Sequence, residues 1–458
     1  MEFWQSSAFM TGLTIVCLLF VTSVLASLLP ALRRLGVPMA IVAGLLGLLG
    51  SEQVLGVFEL DVEFLKSAVY HGLGLLFITV SLRAPAAKRG KGRDLPALSM
   101  GFAVPAIMCL QALVALLVLL VVNSSWHPAF AMLVPLGFEE GPGQALSMGS
   151  AWAKNGLQDG AQIGLISAAL GYGWSVVVGI PLAIIGRRRG WLARVTDGAG
   201  AGAEHVDRRP AEPGGLDHLS VQIALIALCY ALTYALCSVL ALALSSMPDM
   251  VPVVWGFHFI FAALIAIGVR AVISRFVDAE HSPIDDYLMV RVGGMLVDLV
   301  TCAALAAIEL AVLQAYWAPL LLLTSVGGLV TVVAALWIGS RCWVDAPFEH
   351  TLLWFGMSTG TLPTGLALLR VVDPELRTPA ATSAVLGAAI SVPLVAPLLL
   401  VLIPMTARAY IGNWPGQGWT MLAIFIGYFV ALLVAWRLLG GLRFRRPLAR
   451  LWAVSSAD

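Results

Sequence analysis

The chain has 458 residues, of which 60% are hydrophobic and 12% charged, and its mean hydropathy is +0.92. A water-soluble protein of this length and composition would expose large apolar surfaces, so the composition indicates an integral membrane protein. The net charge is +1 and the basic residues lie in short loops, which predicts no nucleic-acid partner; the six cysteines lack metal-site spacing.

Apolar runs of about 20 residues recur along the chain, each long enough to cross a hydrocarbon core of about 30 Å as a helix. Because the runs are continuous rather than alternating, they predict helices and not a β-barrel. The first half contains predicted spans at 8–29, 37–55, 66–82, 97–122 and 160–185. The second half contains predicted spans at 219–244, 251–273, 287–313, 317–338 and 379–404, followed by an extra span at 418–440.

Two further segments, 129–153 and 346–370, lie between these spans and are rich in glycine, hydroxyl and carboxyl groups. Non-helical backbone at membrane depth is stable only where protein encloses it or where it lines a polar cavity. Paired interrupted segments at matching places in two halves indicate the binding site of a transporter. The alternative interpretation is a pair of close helix-packing sites built on small residues.

Clusters of arginine and lysine indicate which loops face the cytoplasm. Three first-half clusters, at 33–34, 83–93 and 187–209, fall on one side only if 129–153 enters and leaves the membrane on the same side. That segment is therefore predicted to be a re-entrant hairpin. Five crossings per half then invert the second half relative to the first, with the N-terminus outside and the C-terminus inside.

The predicted fold is an all-α integral membrane protein, an inverted-topology repeat transporter with two five-span halves. The first repeat covers 1–195 with a hairpin at about 129–153, and the second covers 218–404 with a hairpin at about 346–370. A Gly/Ala-rich cytoplasmic linker at 196–217 joins them. Residues 405–458 supply the extra span and a basic cytoplasmic tail.

The hairpins supply most of the predicted site residues. Their glycines and prolines free backbone amides, which suit a carboxylate at a helix N-terminus, and carbonyl oxygens, which suit sodium. The candidate substrate-binding residues are Gly141, Gly143, Gln144, Gly356, Gly360, Thr361, Pro363 and Thr364. The candidate ion-coupling residues are Glu140, Asp298, Ser358 and Thr359.

The carboxyl groups leave alternatives open. Glu139 and Glu140 could bind a cation, carry a proton or pair with an arginine, or at least one of them could face water at the hairpin mouth. Asp298 is near the middle of its span, and Arg291 and Glu309 fall close to it on a helical wheel. This pattern fits either a coupling site or a buried ion pair that fixes helix packing.

Two motifs resemble those of the bacterial sodium/glutamate symporter family. The second hairpin has Gly356-x-x-x-Gly360-x-x-Pro363-Thr364-x-x-Ala367, and the first has Gly137-Phe138-x-x-Gly141-x-Gly143-x-Ala145. The resemblance implies a secondary transporter, usually dimeric, that couples sodium entry to glutamate uptake. The chain departs from the family at Glu140-Gly141-Pro142-Gly143-Gln144, where Gly-Gly-His-Gly-Thr is typical, and an acid beside an anion site repels glutamate.

We therefore expect a sodium-coupled symporter of glutamate or a related amino acid or carboxylate. It would be a homodimer in the bacterial cytoplasmic membrane, with the sodium ion as a transported species rather than a prosthetic group. The alternatives are a proton-coupled carrier of another small solute, and a channel. Enzymatic activity is not expected, because the sequence lacks the paired carboxylate motifs of an intramembrane aspartyl protease.

Overall fold

A computed structural model describes residues 6–29, 37–83, 95–193, 216–246, 251–278, 282–411, 414 and 416–442. In these ranges the regular secondary structure is helical, apart from one isolated bridge between Ser51 and Phe58. Eleven of the described helices are long and apolar enough to cross a membrane. The chain is an all-α, multi-pass membrane protein, as its composition predicts.

The helices of the first half are α1 Ser7–Leu28, α2 Met39–Gly50, α3 Val62–Leu82, α4 Leu95–Val122, α5 Ala129–Pro135, α6 Pro142–Ala151 and α7 Gly160–Arg188. A π-helical turn, Leu136–Glu140, continues α5. Those of the second half are α8 His218–Ala243, α9 Val251–Gly256, α10 His258–Phe276, α11 Asp286–Ala306, α12 Leu310–Ala315, α13 Trp317–Cys342, α14 Pro347–Val372, α15 Ala380–Arg408 and α16 Gly416–Leu438.

Three predicted spans differ from the observed helices. Helix α2 has 12 residues, which cover only about 18 Å at 1.5 Å per residue, so the predicted span 37–55 is too long. The predicted span 251–273 is divided at Phe257, and the predicted span 287–313 loses its helix after Ala306. Apart from Glu309, the residues at both interruptions are apolar, so a hydropathy average over a whole span does not detect them.

The interruption after Ala306 removes the predicted polar stripe on one helix. Glu309 lies at the start of α12, whereas Asp298 lies on α11, so a single helical wheel does not apply. The Glu309 carboxylate instead accepts hydrogen bonds from Lys66 Nζ at 2.9 Å and Gln162 Nε2 at 2.7 Å. It thereby links α3, α7 and α12.

This link predicts a stability effect. Replacing Glu309 with alanine should lower the free energy of unfolding by about 1–2 kcal/mol, because two partly buried hydrogen-bond donors each lose one of their two acceptors. Glu63 also binds Lys66, but its side chain is 84% exposed, so Glu63→Ala should cost less than about 0.5 kcal/mol. Thermal unfolding of the purified variants in detergent measures both, and equal losses would contradict the assigned role of Glu309.

The helices pack as two groups. One contains α1, α2, α3, α8, α10 and α11, and the other contains α4, α5, α6, α7, α13, α14, α15 and α16. Both polar segments belong to the second group. Helix α6 makes the main contact between the groups, since it packs against α3 and α11 of the first group; it also packs against the short helix α9.

The bounds of several helices recur about 220 residues later in the chain. Gly160–Arg188 and Ala380–Arg408 each have 29 residues, and 220 positions separate their starts. Corresponding helices also make reciprocal contacts. A Cβ atom on Gly72 of α3 would lie 2.5 Å from Val300 Cγ2 of α11, and one on Gly293 of α11 would lie 3.0 Å from Thr79 Oγ1 of α3.

Some predicted features fall outside the described residues. The linker predicted at 196–217 is outside them except for its last two positions, where Asp217 accepts hydrogen bonds from the amides of Leu219 and Ser220 at the start of α8. The predicted basic tail after residue 442 and the basic clusters at 33–34 and 84–93 also lie outside.

Candidate functional site

The first polar segment is two helices joined at a sharp break. Helix α5 and its π-helical turn end at Gly141, which has φ 89° and ψ −176°, and Pro142 begins α6. Glycine tolerates this conformation, and proline is favoured in the first turn because its missing N–H is not needed there. The ends of the segment lie together, since His127 Nε2 is 2.9 Å from the carbonyl oxygen of Asn155. The segment therefore has the shape of a hairpin.

The second polar segment is also a hairpin, although α14 extends from Pro347 to Val372. Its backbone is not helical at Gly360 and Thr361. A Cβ atom on Gly356 would lie 2.7 Å from the Cα atom of Gly365, so the two arms of α14 pack against each other. In an uninterrupted helix these two residues would be about 13.5 Å apart. The chain therefore reverses direction at the break.

Each break contains one residue with a similar positive-φ conformation, and these two residues touch each other. Thr361 has φ 72° and ψ 169°, close to the values at Gly141. Residues other than glycine rarely adopt this region, and doing so costs about 1–3 kcal/mol. A Cβ atom on Gly141 would lie 2.6 Å from Thr361 Cγ2. The tips of the two hairpins are thus in van der Waals contact.

The predicted residues of the first hairpin are close together at its tip. Gln144 Nε2 donates a hydrogen bond to Glu140 Oε2 across the break. Gly143 allows the tip to approach α3, because a Cβ atom there would lie 2.9 Å from Leu73 Cδ1. Glu139 and Glu140 are both half-buried.

The predicted residues of the second hairpin cluster against α7. A Cβ atom on Gly360 would lie 2.8 Å from Tyr172 Cδ1 and 3.0 Å from Thr364 Cγ2. Thr359 Oγ1 donates to the carbonyl of Phe355 at 2.8 Å and is 2.6 Å from Ser175 Oγ, so its hydroxyl already has two partners.

Accessibility also differs along this hairpin. Ser358 and Thr364 are buried, whereas Thr361 and Pro363 are partly accessible. Gly356 lies where the two arms of α14 pack against each other, beside Gly365. The accessible part of the second hairpin is therefore its tip, where it meets Gly141.

Asp298 is not brought to the hairpin tips. It belongs to the other group of helices and lines a cavity of about 350 Å³ with residues of α1 and of the start of α2: Leu19, Ser23, Ala26, Met39 and Ala40. The structure therefore separates Asp298 from the other candidate ion-coupling residues.

Gln111 of α4 also contacts the second hairpin, although it was not among the residues predicted from the sequence. Its Nε2 atom donates hydrogen bonds to Thr331 Oγ1 and to the carbonyl oxygen of Ser358, both at 2.8 Å. The sequence contained a signal for it, because Gln111 is the sole carboxamide in the apolar helix Leu95–Val122. A polar side chain inside such a helix is costly unless it has a partner, and such residues commonly mark functional sites.

Neither a protein-family model nor a curated protein matches the chain. The chemistry available to the site therefore follows from its own residues. The tips offer two carboxyl groups, hydroxyl groups and backbone freed from helical hydrogen bonding, which are suited to hard cations and small polar solutes. Within the described ranges, no three His, Cys, Asp or Glu side chains converge as ligands for a metal ion.

Proposed function

We propose that this chain is a secondary active transporter whose two hairpins are re-entrant and belong to an inverted repeat. The observation that carries the proposal is the contact between Gly141 and Thr361, two positive-φ residues at helix breaks inside an apolar helical protein. Backbone of this kind is stable at membrane depth when protein encloses it or it lines a cavity. Paired breaks of this kind form the solute sites of many transporters.

The repeat is supported by three further features. The bounds of α7 recur 220 residues later as the bounds of α15. Helices α3 and α11 contact each other reciprocally through Gly72 and Gly293. The two hairpins reverse direction at corresponding positions, Gly141 and Thr361. A segment that reverses in this way does not change the side of the membrane. Each half would then cross five times, and the second half would be inverted relative to the first.

We propose sodium as the coupled ion and glutamate or a related amino acid or carboxylate as the solute, in line with the resemblance to the sodium/glutamate symporters. The free amides at the start of α6 suit a carboxylate group of the solute. Glu140 would repel an anion, but its hydrogen bond from Gln144 disperses part of that charge. We place the protein in the bacterial cytoplasmic membrane as a homodimer with an outside N-terminus.

Alternating access would follow from movement between the two groups of helices. The group that carries both hairpins would slide as a body against α3, α9 and α11, with α6 at the sliding contact. A solute held at the hairpin tips would then meet one side of the membrane and afterwards the other. The link from Glu309 to Gln162 and Lys66 joins elements of both groups in the described state.

Transport by purified protein in proteoliposomes tests this proposal. We expect accumulation of labelled glutamate, or of another amino acid or dicarboxylate from a panel, under an inward sodium gradient, and none under an equal potassium gradient. Protein-free liposomes serve as the control. Uptake that needs only a pH gradient would replace sodium coupling with proton coupling, which Glu139 favours as a half-buried carboxyl group at the tip. Unitary conductance would identify a channel instead.

A further inference from the structure

We infer that Glu139, Ser358 and Gln111 form a binding site for a sodium ion where the two hairpins meet α4. This inference rests on the proposed function for its role in transport. It deepens that function by assigning the position of the ion. The residues come from three separate elements, so the site exists only in the folded arrangement described above.

The first observation is a set of unpartnered oxygen atoms. Glu139 Oε2, Ser358 Oγ and Gln111 Oε1 are buried and have no hydrogen-bond partner in the described part of the chain. Ser358 is 1% exposed and Gln111 is 0% exposed. Burying a polar atom without a partner is costly, and native proteins retain few such atoms. Three such atoms at one junction indicate a ligand that contacts all of them.

The orientation of the Gln111 amide is fixed by its neighbours. Its nitrogen donates to the Ser358 carbonyl, which can only accept, and to Thr331 Oγ1. The Thr331 hydroxyl gives its own proton to the carbonyl of Gly327 at 2.7 Å, so it also acts as an acceptor towards Gln111. A flipped amide would place two oxygen atoms against each other. The unpartnered atom of Gln111 is therefore its oxygen.

The other two oxygens lie at the same junction. The Ser358 hydroxyl lies close to the Glu139 carboxyl group, but the pair does not reach hydrogen-bond geometry, so both oxygens remain open to a shared ligand. Their chain neighbours meet as well, since a Cβ atom on Gly171 would lie 2.6 Å from the Thr359 carbonyl oxygen and 2.7 Å from Phe138 Cδ1. The adjacent acid and hydroxyl differ, because Glu140 already accepts a hydrogen bond from Gln144 and the Thr359 hydroxyl already has Ser175 and Phe355 as partners.

The chemistry of the three oxygens selects a hard monovalent cation. A carboxylate, a hydroxyl and an amide oxygen are hard ligands, and one carboxylate balances one positive charge. Calcium sites in proteins normally gather more carboxylates, and softer metals prefer nitrogen or sulfur ligands. The ion pairs found among the described residues do not include Glu139, so its charge is not already balanced by a lysine or arginine.

Thermal unfolding of the full-length purified protein in detergent, without solute, tests the site. The probe is sodium chloride, titrated against potassium chloride and choline chloride at constant ionic strength and pH. We expect a saturable, sodium-specific rise of the unfolding midpoint, since a ligand that binds only the folded state stabilises it by mass action. Glu139→Gln and Ser358→Ala should each raise the half-maximal sodium concentration at least about tenfold, equivalent to about 1.4 kcal/mol.

Two control variants separate loss of the site from general destabilisation. Glu309→Gln removes the carboxylate that binds Lys66 and Gln162, away from the hairpin tips. Thr324→Val removes a buried hydroxyl that donates to the Leu320 carbonyl. Both should keep the sodium dependence of the wild type. If Glu139→Gln fails to fold, Ser358→Ala and equilibrium binding of radioactive sodium decide the question. Unchanged sodium affinity in Glu139→Gln or Ser358→Ala overturns the site, as does a wild-type midpoint that responds to pH and not to sodium.

The outcomes also separate this inference from the proposed function. Sodium-driven uptake that keeps its sodium dependence in Glu139→Gln would refute the site and leave the transport proposal intact. A sodium-specific midpoint shift that Glu139→Gln abolishes, with no uptake of any solute, would support the site and refute symport.

Discussion

Replacing Gly141 with alanine should abolish solute uptake and lower the free energy of unfolding by about 1–3 kcal/mol from backbone strain alone. The residue has φ 89°, and the new Cβ atom would meet Thr361 Cγ2 at 2.6 Å. The hairpin tips would have to separate, which displaces the groups that the solute and the ion are proposed to contact. Uptake into proteoliposomes and thermal unfolding measure the two effects.

Two further variants sharpen this test. Gly173→Ala is the matched control, since no other atom lies within 4 Å of its Cβ position on α7, and it should behave as wild type. Thr361→Gly should be more stable than wild type by up to about 1–3 kcal/mol, because it relieves the strain of its positive φ. In the double variant, Thr361→Gly should recover part of the loss caused by Gly141→Ala, because the overlapping methyl group is gone. Strict additivity of the two changes would contradict contact between the tips.

Replacing Gly356 with alanine should lower the free energy of unfolding by about 1–3 kcal/mol through overpacking. The added Cβ atom would lie 2.7 Å from the Cα atom of Gly365 and 2.9 Å from Leu368 Cδ1. A backbone atom cannot move aside as a flexible side chain can, so the arms of α14 must spread. We expect reduced uptake as well, because spreading the arms shifts Thr361 at the tip. The thermal midpoint in detergent gives the stability change.

Gly268→Ala provides the comparison for this prediction. Its Cβ position on α10 has no atom within 4 Å, and alanine is favoured over glycine in a helix by about 1 kcal/mol. That variant should therefore be as stable as wild type or slightly more stable. A Gly356→Ala protein of wild-type stability would mean that α14 does not fold back on itself. That result would contradict the description of the second polar segment as a hairpin.

The sequence predicted those features that depend on local composition. Helices and membrane insertion follow from long apolar runs, because the transfer of each apolar side chain out of water is favourable whatever its tertiary neighbours. The sites of both breaks were predictable too. Gly141 with Pro142, and Gly360 near Pro363, limit or release the backbone through their own covalent structure.

The lengths and interruptions of several spans were not predictable in this way. Helix α2 stops at Gly50, and the chain leaves the helical conformation near Phe257 and after Ala306, inside stretches whose average hydropathy is still high enough to predict one continuous span. Packing decides these ends. Glu309 shows the consequence, since its partners Lys66 and Gln162 are 243 and 147 residues away and no helical wheel could have identified them.

The candidate site shows the same division. Residue types alone predicted the two hairpins and suggested Glu140, Asp298, Ser358 and Thr359 for the ion. Only the tertiary structure revealed that Glu140 and Thr359 already have partners, that Asp298 lies elsewhere, and that Gln111 and Ser358 have unpartnered oxygens. Hydrogen-bond partners from distant parts of the chain decide which polar atoms remain free. The sequence by itself therefore determined the membrane class and the positions of the two hairpin breaks, because hydropathy and backbone freedom are local properties. The tertiary structure decided which oxygens lack a hydrogen-bond partner, because that depends on contacts between residues far apart in the chain.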